Sequence, residues 1–197
     1  MDGILELDRR AVEASTRVVS LVPDDAWDSP TPCSAWVLRE LLEHMIAQNR
    51  GFAAAAAGNG DLDMWRVRPL GDDPKAEYAE SARLVLDAFA EDGVLAREFP
   101  LSEITTQRTF PAAQAISFHF LDYVVHAWDV GVSVGVRMVF DADVLDAALT
   151  VAHREVPVGP FREQPDASFA PVIEVAPTAP KLDRILAVLG RSPSWPR

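Results

Sequence analysis

"FHFLDYVVHAWDVG", residues 118–131, is the stretch that decides how this chain is read. Most of it is apolar enough for a helix buried on several sides, yet it carries His119, Asp122, His126 and Asp129. Asp122 and His126 are four positions apart, so their side chains lie one turn apart on one face, and His119, three before Asp122, joins that stripe. Ile116, Phe120, Tyr123, Val124 and Val130 surround them. A carboxylate buried there without a partner costs several kcal/mol or is forced neutral. Two arrangements make it tolerable. In one, Asp122 pairs locally with His126 and nothing further is implied. In the other, His44, from an earlier helical segment, meets Asp122 and His126 around a divalent ion, as bundles do with inward side chains on facing helices. Two imidazoles and one carboxylate suit zinc first, with nickel or ferrous iron as alternatives, and leave a position for water or substrate. On the residues alone both arrangements stand.

The rest of the chain supplies helices to face this one. Ile4, Leu7, Ala11, Ala14, Val18 and Leu21 step by three and four, with Glu6, Asp8, Arg9, Arg10, Glu13 and Arg17 assigned to other faces. "VPDDAWDSPTP" ends that helix. A second is predicted from Ser34 as N-cap through residue 56, with Val37, Leu38, Leu41, Met45 and Ile46 inward and His44 on the same side. Residues 58–74 read as a long loop. A third helix is predicted over residues 75–91, with Tyr78, Ala82, Val85 and Phe89 inward. Residues 92–111 read as a crossover with room for a brief strand, and the fourth helix spans about 111–134, proline being tolerated in its first turn. A fifth pattern covers residues 141–156, a proline-rich passage follows, and a short helix stops at Gly190. Four long helices with substantial crossovers predict an all-α four-helix bundle over residues 1–136, with residues 137–197 as a small C-terminal helical extension packed on it as one unit.

Composition narrows the partners. Thirty acidic against eighteen basic residues give a net charge of −12, which disfavours both nucleic acid and anionic membranes. The segment "MDGILELDRR" lacks the apolar region of a secretory signal, and no apolar run is long enough to span a bilayer. Cys33 is the single cysteine, so no intrachain disulfide forms, in keeping with a cytoplasmic protein. Its thiol, near a helix N-terminus, is either a small buried group or a reactive thiolate.

"SPTPCSAWVLRELLEHM" continuing into "AQNRGFAAAAAG", then "FHFLDYVVHAWDVG", then "PKLDRILAVLGRSPSW" resemble, in that order, the successive signatures of the actinobacterial metal-binding family related to mycothiol-dependent maleylpyruvate isomerase, within the DinB-like superfamily. The resemblance implies a DinB-like bundle holding a divalent ion through His44, Asp122 and His126. The characterised isomerase has Glu at the acidic position, whereas this chain has Asp, one methylene shorter. The resemblance therefore carries metal ligation over to this chain, and the shorter acid bears on whether the isomerase's own substrate is retained.

The function this implies is a mycothiol-dependent transferase or isomerase, in which the ion activates a small-molecule thiol against an electrophilic substrate. Metal-assisted hydrolysis, with His119 as catalytic base, and a non-catalytic metal-binding stress-response module are the alternatives. His119 itself has three readings: a fourth ligand, a proton shuttle or a satisfied histidine beside the site. Asp129 would accept an N–H from the His126 ligand or cap a turn. His153 is expected to be exposed, Trp36 and Trp128 to pack. The loops 59–74 and 157–171 would shape the substrate mouth, and a homodimer is among the assemblies related bundles adopt.

Overall fold

A computed structural model describes residues 3–164, 167 and 169–196. Helix α1 (Ile4–Ser20) lies along α4 (Ala112–Ser133), and α2 (Leu38–Ala56) lies along α3 (Pro74–Phe89). Contacts between α1 and α3, and between α2 and α4, close the four into a bundle. Leu41, Met45, Tyr78, Phe120, Tyr123 and Val124 fill its interior with essentially no exposure. The helix ends follow ordinary rules. Glu6 in the first turn of α1 and Arg17 in its last oppose the helix dipole. Asp73 caps α3, accepting from the Ala76 N–H at 3.0 Å, and Pro74 takes the first position, where its missing donor costs nothing.

Helix α2 begins at Leu38, four residues beyond the Ser34 expected from capping preference. Residues 33–36 instead form a turn, with the Trp36 N–H donating to the Cys33 carbonyl at 2.8 Å, and Pro30 and Val37 form an isolated antiparallel bridge. The preceding loop satisfies the first helical donors: Leu38 N–H reaches the Ser29 carbonyl and Arg39 N–H the Trp27 carbonyl. Glu40 turns back to accept from the Val37 N–H at 2.9 Å. Tertiary backbone partners thus outcompete the serine.

The crossover between α3 and α4 holds a two-stranded antiparallel ribbon, β1 (Glu98–Phe99) and β2 (Phe110–Pro111), with Phe99 opposite Phe110. Both rings are buried in a second apolar cluster with Phe52, Trp65 and Phe89. Trp65, on a short 3-10 turn (Leu62–Trp65) inside the long loop, packs so closely on α2 that a Cβ added at Gly51 would stand 2.3 Å from its indole. Gly51→Ala is expected to destabilise the fold by about 1–3 kcal/mol, the usual cost of overpacking a filled core. Urea unfolding measures it, and an unchanged midpoint would contradict this packing.

Beyond the bundle, α5 (Ala142–Glu155) packs on α4 and α6 (Lys181–Val188) on α5, and Val144, Ala148, Ile185 and Leu186 join the same buried cluster as the bundle core. Arg10 of α1 ties down the start of α5 through Asp141 at 2.6 Å and Asp143 at 2.7 Å. Among the described residues these six α-helices and the ribbon make up the fold, and no helix is long and apolar enough to cross a membrane.

Asp8 departs from its expected place on a polar face: it is fully buried. Its Oδ1 lies 2.7 Å from Nδ1 of His119, and His119 Nε2 lies 3.2 Å from Asn49 Oδ1. Asn49 in turn donates to Ser81 Oγ at 2.9 Å. One polar chain therefore links α1, α4, α2 and α3 across the bundle interior.

Candidate metal centre

Because α2 packs against α4, the apolar stripe that carries His44 faces the stripe that carries Asp122 and His126. One ligand atom from each of the three residues lies within 4.8 Å of the other two. The rings of His44 and His126 meet edge to face, with centroids 5.3 Å apart, and His126 Nε2 is 3.2 Å from Asp122 Oδ1. His126 is buried and Asp122 keeps about a third of its side chain exposed (32%), so the group opens toward solvent on the carboxylate side. Trp36 covers His44, with ring centroids 4.6 Å apart. The indole thus packs against a candidate ligand and restrains its ring.

The electrostatics divide the two imidazoles. Burial, reinforced by the charge of His126, pushes His44 down to about 4, so it is neutral with a lone pair available at physiological pH. Burial also opposes a proton on His126, but Asp122 and Asp129 outweigh it and lift its pKa to about 9. Burial would raise Asp122, yet the charge and hydrogen bond of His126 prevail and hold its carboxyl well below the usual carboxylate range.

Asp129 lies behind His126. Its Oδ2 is 3.0 Å from Nδ1 of the ring, so Nδ1–H donates to it and Nε2 is turned toward Asp122 and His44. Asp129 is fully buried and meets Arg191 Nη2 at 3.4 Å, while the same Nη2 donates to Cys33 Sγ at 2.6 Å. Arg191 is the side chain of this cluster that reading the sequence missed. The signal was Gly190. It ends α6 in the left-handed region (φ 76°), allowing the Arg191 N–H to fold back on the Leu186 carbonyl at 2.8 Å and pointing the guanidinium at α4. A Cβ at Gly190 would come within 2.6 Å of the Ala170 carbonyl. Cys33 is partly exposed, and burial with the charge of Asp129 pushes its thiol up to about 12 even though Arg191 pulls the other way. The thiol form therefore prevails.

The structure does not bring His119 to this group. Although it shares the stripe, it lies seven residues from His126, or about 10 Å along the axis. Both of its nitrogens are engaged, by Asp8 and Asn49, and its ring stacks on Tyr123 at 4.1 Å. His153 is exposed on α5. Of the expected mouth loops, residues 59–74 carry the 3-10 turn described above; in 157–171, Pro165, Asp166 and Ser168 lie outside the described residues.

Residues 9–131 match the family described as the mycothiol maleylpyruvate isomerase N-terminal domain. Two uncharacterized proteins of Mycobacterium tuberculosis, from strains CDC 1551 / Oshkosh and ATCC 25618 / H37Rv, are each 27% identical over 191 residues, covering 93% of this chain and 95% of theirs. Among solved structures, mycothiol-dependent maleylpyruvate isomerase aligns with a TM-score of 0.57 at 18% identity. A histidine-to-alanine mutant of it aligns with a TM-score of 0.58 at 19% identity, and each alignment covers 80% of this chain and 73% of the other. At that identity the likeness establishes the fold, which is the DinB-like helical one.

Proposed function

The chain belongs to the mycothiol maleylpyruvate isomerase N-terminal domain family, and on that premise we propose that it is a metal-dependent enzyme acting with a low-molecular-weight thiol, mycothiol being the thiol its family points to. The observation that carries this reading is the convergence of His44, Asp122 and His126 within 4.8 Å. The donor set fits a divalent ion of the zinc class: one neutral imidazole, one ionised carboxylate, and a second imidazole whose Nδ1–H is taken by Asp129 so that Nε2 serves as ligand. Such an ion, when bound, supplies the Lewis acidity that keeps a thiol deprotonated at neutral pH.

The chain's own residues do the rest. Trp36 restrains the His44 ring, Asp129 fixes the His126 tautomer, and the exposed side of Asp122 leaves an approach for thiol and electrophile. The product is an S-conjugate, or an isomer if the thiol adds to a conjugated double bond and departs after rotation. We place this chemistry in the cytoplasm, where a reducing thiol pool maintains a lone cysteine such as Cys33. The hydrolytic alternative gains no support, because the base it requires, His119, already has both nitrogens engaged.

The deciding experiment is calorimetry with mycothiol on zinc-loaded and chelated protein. Binding to the loaded form alone is expected; no binding to fully loaded protein would end the thiol reading. A second outcome follows from His126. Below its pKa of about 9 the ring carries a proton that an ion must displace. Apparent zinc affinity is therefore expected to rise as pH rises toward that value, by about tenfold per unit for one proton released. Competition with a chromophoric chelator across neutral to mildly alkaline pH reads the slope, and a flat profile would contradict proton displacement.

A further inference from the structure

The His126 ring has two working edges, and the group proposed above uses only one. At the other, Cys33 Sγ, an Asp129 oxygen and a His126 nitrogen also lie within 4.8 Å of one another. We propose that Cys33, Asp129 and Nδ1 of His126 form a second cation site, for a soft divalent ion such as Cd2+, and that the Arg191 guanidinium is its built-in competitor.

Three features support this. Thiolate, carboxylate and imidazole form a ligand set that softer divalent ions favour over the harder ones. Asp129 is fully buried, and its Oδ1 has no hydrogen-bond partner among the described residues, an unused acceptor where such groups are costly. The guanidinium stands where an ion would, with Nη2 on both Cys33 Sγ and Asp129 Oδ2, but it fits incompletely: among the described residues Nη1 reaches only the Leu189 carbonyl, at 3.4 Å, and Nε has no partner. It supplies positive charge without filling the coordination positions.

A neutral imidazole has one lone pair, so the two sites exclude each other at His126. With Nε2 as ligand, the Nδ1 proton goes to Asp129. With Nδ1 as ligand, the ring proton moves to Nε2 and is donated to Asp122 Oδ1, 3.2 Å away. Entry of a soft ion at the rear site releases two protons to solvent, that of the Cys33 thiol and the Nδ1 proton of the protonated His126 ring, and requires Arg191 to swing out. Which edge holds the ion is thus set by the softness of the metal and by the arginine. This inference does not depend on thiol chemistry at the front site.

The test is a Cd2+ titration of metal-free protein, followed by near-ultraviolet absorption for the sulfur-to-cadmium charge-transfer band, with folding monitored by circular dichroism. Arg191→Ala is expected to develop the band and to bind about tenfold or more tightly than wild type through that site, the scale on which neighbouring groups tune metal sites. Adding Cys33→Ser removes the band. Should Arg191→Ala fail to fold, His44→Ala in an otherwise intact chain gives a second reading, because it disables the front site and sends Cd2+ to the rear one, again with the band. Absence of the band from every folded variant that retains Cys33 would overturn the proposal. Failure of wild type to bind zinc would count only against the front site, so the two readings fail separately.

Discussion

His126→Ala is expected to abolish stoichiometric binding of a divalent ion, lowering affinity by more than about a hundredfold, whereas His153→Ala leaves it unchanged. The size follows from position: losing a supporting group outside the coordination shell costs about 10–100-fold, and removing a ligand exceeds that. His126 also anchors the site in two directions, with Asp122 at 3.2 Å on one edge and Asp129 at 3.0 Å on the other. Its loss would leave two buried or half-buried carboxylates facing each other without the cation between them. Elemental analysis of untagged protein and chelator competition report the outcome. Equal retention of metal by both variants would remove His126 from the site.

The second large effect concerns stability. His119→Ala is expected to destabilise the fold by about 3–5 kcal/mol, the range for removing one partner from a buried pair. The reason is that Asp8 would remain buried with no partner among the described residues, its Oδ2 already lacking one there. Burial raises the Asp8 pKa despite the opposing charge and hydrogen bond of His119. Replacing both, Asp8→Leu with His119→Phe, should then bring stability back to within about 1 kcal/mol of wild type, as apolar replacement of buried pairs commonly does. Urea unfolding of the single and double variants separates these. A double variant as unstable as the single one would show that the polar chain through Asn49 and Ser81 holds the helices together for itself.

Much of this was legible in the residues. The three-four spacing of Ile4 to Val18 sets α1, whereas Leu21, read into the same seam, caps the helix and is exposed; the inward Tyr78, Ala82, Val85 and Phe89 are all buried in α3, with Ser81 beside them. The His44 stripe and the Asp122/His126 stripe could be read as facing each other because both are helical and apolar around the polar groups. What escaped depended on angle or on distant backbone. Asp8 belongs with Ala11 and Ser15 on the buried side of α1, but sorting by residue type placed it with the solvated charges. The start of α2 was set by carbonyls of Trp27 and Ser29, which no local preference of Ser34 reveals. His119 shares a stripe with His126, and angular position alone could not show that it lies too far along the axis and turns to α1. Arg191 was invisible because its destination is a glycine's backbone conformation, not a property of the arginine.

That glycine has a consequence for heredity as much as for chemistry. A side chain at position 190 would collide with the backbone of Ala170, and the tail would carry its arginine elsewhere. A substitution some sixty positions from Asp129 would then strip that buried carboxylate of its guanidinium, the change that Arg191→Ala makes directly. Recombination among relatives would face the same linkage, since a tail exchanged without its turn would arrive lacking the counter-charge that the other half of the molecule was built around.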